Sequence, residues 1–166
     1  MREYVVAKPA STRGYALHRM VMGLTQGAPA IFADAGDRLL IRTDLDLGLE
    51  GQAIPDVPAG EMRAFELRAC VSKKTRGKHI YPLPGNWQFR HDWLRRQGER
   101  HGFEVKTVHC SGELIEVDNG SGRRFSVDST DFTGVLKVTD ASLFRGALAS
   151  GVGSTSRTFG FGFLII

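Results

Sequence analysis

The chain has 166 residues, 42% hydrophobic and 24% charged, with a formal net charge of +4 and a pI near 9.3. That length suits one ordinary domain or two very small ones, with enough apolar residues for a core. No apolar run approaches the roughly 18 residues of a membrane span, and the opening MREYVVAKPAS lacks the apolar stretch of a secretory signal. A cytoplasmic protein with no membrane partner is expected. Cys70 and Cys110 are too few and too far apart for a metal site or a disulfide scaffold.

Taken in chain order, Glu3 to Ala7 reads as a short strand, and Pro9-Ala-Ser-Thr makes a turn offering Ser11 or Thr12 as a helix cap. In the helix that follows, Leu17, Met20, Val21 and Leu24 fall at i, i+3, i+4 and i+7 and form one buried stripe. Tyr15 and His18 are three residues apart, which makes them neighbours on a flank of that helix. Ala30 to Ala33 and Leu39 to Thr43 read as strands joined across Asp34-Ala-Gly-Asp37. Asp44 to Gly60 is irregular and carries Pro55 and Pro58, which marks it as a linker; its acids lack the Asp-Gly pair and distal Glu of a calcium loop.

Met62 to Ser72 alternates like a half-buried strand and leads into Lys73-Lys74-Thr-Arg76-Gly-Lys78, four cations in six residues. A helix from about Trp87 to His101 stops at Gly102, and its Arg90, Arg95, Arg96 and Arg100 extend the basic surface. Phe103 to His109, Glu113 to Asp118, Arg124 to Val127 and Thr133 to Val138 read as separate strands, with Asn119-Gly-Ser-Gly122 as a tight turn. Thr139 or Asp140 caps a last helix with Leu143, Phe144, Ala147 and Leu148 on its apolar stripe, and Phe159 to Ile166 closes the chain as a strand.

Charge is unevenly spread along this order. Residues 34 to 61 carry seven acids against two arginines, while residues 62 to 106 carry eleven Lys and Arg against four acids. One face should therefore be strongly positive and suit a polyanion. The stretch Gly151-Val-Gly153-Ser154-Thr155-Ser156-Arg157 adds hydroxyls, exposed N–H groups and a fixed cation, a combination that favours phosphate. It has no Gly-Lys-Ser/Thr ending, so it is not a P-loop, and it precedes a strand and lacks a third glycine, so it is not a dinucleotide fingerprint.

The order of elements predicts an α+β protein of two tandem ferredoxin-like (RRM-like) halves, each β-α-β-β-α-β with an antiparallel sheet, followed by a C-terminal glycine-rich loop. Residues 1–60 form the first half, its second helix reduced, and residues 61–166 form the second. This plan hosts many unrelated activities, so function has to come from particular residues.

Tyr15-Ala-Leu-His18-Arg19 opening the first helix is one such set. Phe65-Glu-Leu-Arg68-Ala before the basic loop, Trp93-Leu-Arg-Arg-Gln97 ending in Gly102-Phe103, and Gly134-Val-Leu-Lys-Val-Thr139-Asp140 leading to the terminal loop complete it. Together they resemble the CasE family, the CRISPR RNA-processing endoribonucleases of the type I-E Cascade complex, in a short variant. The resemblance implies a metal-independent RNase that cuts a CRISPR repeat hairpin at its 3′ base, holds the guide RNA and joins other Cascade subunits. It places the catalytic histidine at His18 and a catalytic tyrosine at Tyr15.

The chemistry of the residues agrees with that placement. RNA supplies its own nucleophile, the 2′-hydroxyl, so catalysis reduces to in-line positioning and the management of two protons. A histidine titrating near neutrality can take one proton or give the other. RNA contacts are expected from Lys73, Lys74, Arg76, Lys78, Arg123, Arg124 and Arg157, with Gly151, Gly153, Ser154 and Ser156 of the terminal loop, because duplex RNA is gripped by shape and phosphate position. His79, His91, His101 and His109 have no paired ligand spacing, so no metal site and no cofactor are expected. Two other readings remain open: a related RNA-binding subunit without cleavage, and an unrelated basic ferredoxin-like protein.

Overall fold

A computed structural model describes residues 1–153 and 155–166. The first sheet contains β1 (Arg2–Ala7), β2 (Ala30–Asp34), β3 (Arg38–Thr43) and β4 (Gly51–Ala53), with α1 (Tyr15–Leu24) between β1 and β2. The second contains β5 (Met62–Ala69), β8 (Phe103–Asp118), β9 (Arg124–Val138) and β10 (Leu164–Ile165), with α2 (Trp87–His101) before β8 and α3 (Ala141–Ser150) after β9. A separate ribbon, β6 (Lys73–Thr75) with β7 (Lys78–Ile80), is inserted between β5 and α2. The strand orders are β2-β3-β1-β4 and β10-β5-β9-β8. Numbered within its own half, each sheet has its strands in the order fourth, first, third, second, so the two halves share one ferredoxin-like plan. All the strand pairings are antiparallel. β3 runs on to β4 with no helix between them.

The apolar pattern explains where each half is held. Leu17 and Val21 of α1 pack on Phe32, Leu39 and Ile41, while Trp93, Leu94, Phe144 and Leu148 of the two later helices pack on Phe65, Leu67, Phe132 and Leu136. Each such buried side chain contributes about 1.5–3 kcal/mol. α2 has the predicted limits; Asn86 caps it by accepting the N–H of Phe89, and Gly102 ends it in the left-handed region with φ 71°. Asp140 caps α3 in the same way through the N–H of Leu143 at 2.9 Å.

Several elements depart from the sequence-based expectations. α1 is capped by neither Ser11 nor Thr12: Gly14 holds the position with φ 56° and no side-chain bond. The linker is not free, because β4 pairs with β1 and Ile54 and Val57 are buried. The four separate strands after α2 are two long ones, β8 and β9, paired nearly throughout with one irregularity between Val105 and Thr107. The closing strand is short. Gly160 and Gly162 at φ 82° and 90° break its backbone, and a 3-10 turn, Arg157–Phe159, replaces its start. Leu143 is half exposed, since α3 turns Phe144, Ala147 and Leu148 inward.

Candidate functional site

Tyr15 opens α1 and His18 follows one turn later, so their half-buried rings meet with centroids 5.3 Å apart and planes at 49°. The turn joining β8 and β9 closes over Tyr15. A Cβ on Gly120 would lie 2.3 Å from the tyrosine ring, so no larger residue fits there without moving one or the other. A groove of about 750 Å3 runs from this turn past the start of α1, and Tyr15, Arg13, Arg68, Asp118 and Phe159 line it.

A second cleft, of about 580 Å3, lies between the β6–β7 ribbon, α2 and the glycine loop. Its lining includes Lys73, Lys74, Arg96, Arg100 and Arg157 together with His79 and His101, and no carboxylate. His101 sits in the last turn of α2, where burial and then the charges of Arg157 and Arg100 hold its pKa below the ordinary value. The cleft and the groove draw on one turn. Arg157 lines one and Phe159 lines the other, and both belong to the same 3-10 turn, which packs against α1.

The structure gathers some of the sequence-predicted residues and separates others. Lys73, Lys74, Gly153 and Arg157 meet in the cationic cleft, while Arg76 and Lys78 stand exposed at the tip of the ribbon. Arg123 and Arg124 follow the Gly120 turn, outside the lining of both the groove and the cleft, and Arg124 contacts Glu116 at 3.2 Å. The Arg157 guanidinium donates to the carbonyls of Gly153 and Gly151, so it braces the loop as well as charging it, and burial lowers its pKa. Ser156 precedes the 3-10 turn in the left-handed region with φ 62°, and burial pushes the pKa of the Cys70 thiol up. Ser154 lies outside the described residues.

Arg90 does not extend the basic surface. Its guanidinium is buried, 2.5 Å from Asp128 and 2.9 Å from the Thr130 hydroxyl, which ties α2 to β9. Arg95 is turned toward Glu99. The helical arginines of the cleft are therefore Arg96 and Arg100, and their four-residue spacing, one turn apart on one face, is the signal that separates them from Arg90 and Arg95. Among the described residues, no three His, Cys, Asp or Glu side chains are grouped as metal ligands would be, and no helix is long and apolar enough to cross a membrane.

Fold and clefts together define an α+β protein of two ferredoxin-like halves with a cationic surface cleft. A family model described as CRISPR associated protein matches residues 51–166, and the chain belongs to that family. A comparison with curated proteins gives no match. Among solved structures, the chain resembles Thermus thermophilus Cse3 bound to an RNA representing a pre-cleavage complex, with 20% identity, 99% of this chain and 98% of that one covered, and a TM-score of 0.77. It also resembles the CRISPR-associated protein Cas6e from Escherichia coli str. K-12, with 22% identity, 99% and 98% covered, and a TM-score of 0.77. A chain of E. coli Cascade bound to a PAM-containing dsDNA target matches with 19% identity, 98% and 96% covered, and a TM-score of 0.65. At these identities the likeness speaks for the fold.

Proposed function

We propose that this protein is a CasE-type endoribonuclease that cuts the repeat hairpin of CRISPR precursor RNA and stays on the mature guide RNA as a subunit of a Cascade complex. The observation that carries the reading is the Tyr15–His18 ring pair on α1, set beside a groove that a single turn joins to the cationic cleft. Membership of the CRISPR-associated family supports it, as does a fold shared with Cse3 solved on RNA. In this reading residues 1–60 carry the catalytic helix, and residues 61–166 carry the RNA-binding ribbon and loop.

The chemistry is a transfer at phosphorus. The 2′-oxygen at the foot of the hairpin forms a bond to the adjacent phosphorus, the bond from phosphorus to the 5′-oxygen breaks, one proton leaves the 2′-hydroxyl and another reaches the 5′-oxygen. The products are a 2′,3′-cyclic phosphate and a 5′-hydroxyl. His18 handles one of the two protons at neutral pH, and the Tyr15 hydroxyl holds the reacting groups in line. Lys73, Lys74, Arg96, Arg100 and Arg157 hold the stem by its phosphates, with Arg76, Lys78, Arg123 and Arg124 as outer contacts and Gly151, Gly153, Ser154 and Ser156 as the loop backbone and hydroxyls. In this reading solvent water exchanges the other proton, and no metal ion takes part.

The test is single-turnover cleavage of CRISPR repeat hairpins in EDTA. Wild type is expected to cut once. His18→Ala should slow the cut by about 100-fold or more with hairpin affinity nearly unchanged, and a single 2′-deoxy at the cut site should abolish it. Cutting that survives the 2′-deoxy substitution rejects the mechanism. Tight binding with no cut by wild type replaces it with a non-catalytic hairpin-RNA-binding subunit.

A further inference from the structure

We infer that the groove beside Tyr15 receives an unpaired nucleobase and favours bases that carry an exocyclic amine. The inference deepens the reading above, and it rests on that reading only for which nucleotide is held. A cut at the foot of a hairpin leaves the next nucleotide on the 3′ side without a pairing partner, so its base is free to enter a site beside the reacting phosphate.

The groove differs in kind from the cationic cleft next to it. Two of its cations are already engaged: Lys8 Nζ lies 2.6 Å from Asp34, and Arg68 Nε lies 2.7 Å from Asp131. Asp118 accepts the Gly120 N–H through Oδ1, and no described residue donates to its other oxygen. The Ser129 hydroxyl, also on the lining, has no hydrogen-bond partner among the described residues. With Lys8 and Arg68 paired, Arg13 is the lining cation left without an ion-pair partner among the described residues, and the open acceptors disfavour a phosphate. They suit the protons of an exocyclic amine, as a carboxylate suits the cytosine amine.

The groove also has an aromatic ring in its wall. Phe159 lines it, and the ring is held by an edge contact with Phe125 at a centroid distance of 6.0 Å. Buried Leu17, Val117 and Phe161 add apolar lining, and about 750 Å3 lies within the range of small-ligand sites. Phe159 stands two residues after Arg157, so their Cα atoms are at most about 7 Å apart. The stem phosphates can thus lie toward the cationic cleft while the next base enters the groove.

The test uses a repeat hairpin made uncleavable by one 2′-deoxy, with 2-aminopurine, a base bearing an exocyclic amine, as the next nucleotide. Binding of wild type should quench its fluorescence severalfold, and Phe159→Leu, which keeps bulk and loses the aromatic face, should bind the same RNA with the quenching lost. Replacing that nucleotide by an abasic one should weaken wild-type binding by about tenfold. No quenching with wild type, or equal quenching with Phe159→Leu, overturns the inference. A parallel titration of the 15N-labelled protein with free cytidine, adenosine, guanosine and uridine at millimolar concentration is independent of the hairpin. The backbone amides of Gly120, Ser129 and Phe159 should shift with the first three and less with uridine. If the hairpin fails to bind, the endoribonuclease reading falls and the nucleoside titration alone decides the groove, where uniform or absent shifts reject it.

Discussion

His101 shows how a residue with no role of its own acquires one from its neighbours. Burial and the cations Arg157 and Arg100 favour its neutral form in the free protein, and Arg96 on its own helix with Lys73 and Lys74 on the ribbon adds positive charge around the same cleft, which the His79 ring also lines. A phosphate entering that cleft reverses the balance and raises the imidazole's pKa, so binding takes up a proton. Hairpin affinity is therefore expected to be flat at high pH and to rise as pH falls through the ordinary histidine range near 6.5. His101→Gln should flatten much of that rise in a binding series from pH 8 to 5.5; an unchanged profile would remove His101 from the cleft. Folding carries the opposite sign. The unfolded chain takes up the proton first, so this group's contribution to stability is present above about 6.5 and is lost as pH falls below it.

Among the elements, the β6–β7 ribbon bears most directly on RNA. It is two three-residue strands with every residue exposed, so no core of its own fixes it. Its support comes from the base: Val71 just before it is fully buried, and Ser72 bonds His79 at 3.1 Å across the foot. Lys73 and Lys74 lie at that foot, on the wall of the cationic cleft, and the ribbon tip carries Arg76 and Lys78 into solvent. If both lysines neutralise phosphates, replacing them together by glutamine should reduce the slope of log affinity against log salt by about 2, with little change in the single-turnover rate at saturation. Salt titrations of hairpin binding measure that slope. An unchanged slope would assign the lysines to solvent.

At the scale of the molecule, one side chain clamps the first sheet to the second half. Arg42 of β3 is 2% exposed; it pairs with Glu3 at 2.7 Å, and its Nη1 donates to the carbonyls of Leu148 and Leu164 at 2.9 Å each. The Phe163 ring lies 4.1 Å from its guanidinium carbon. Those carbonyls belong to the end of α3 and to β10, the two elements that flank the glycine loop, so Arg42 sets the loop against the half that carries Tyr15 and His18. Arg42→Ala leaves the Glu3 carboxylate and two carbonyls without their partner and should cost about 3–5 kcal/mol in urea unfolding. A loss below about 1 kcal/mol would show that the two halves are joined by apolar packing alone.

Much of the fold was legible because its signals are local. The apolar spacing of Leu17 and Val21, the stop of α2 at Gly102, and the cap of α3 at Asp140 depend on residues within one or two turns of each other. The order of elements then predicted two ferredoxin-like halves, and the three-residue spacing of Tyr15 and His18 predicted their contact. Tertiary structure decided what sequence spacing cannot encode. Arg90 and Arg100 are both helical arginines, yet the packing of α2 on β9 buries one against Asp128 and leaves the other on the cleft. Nothing in the sequence marks Arg42 of the strand Leu39 to Thr43 until α3 and β10 bring two carbonyls to it. Charge, aromatic face and backbone carbonyl acquire their meaning from groups tens of residues away, and only the folded chain places those groups within hydrogen-bonding distance.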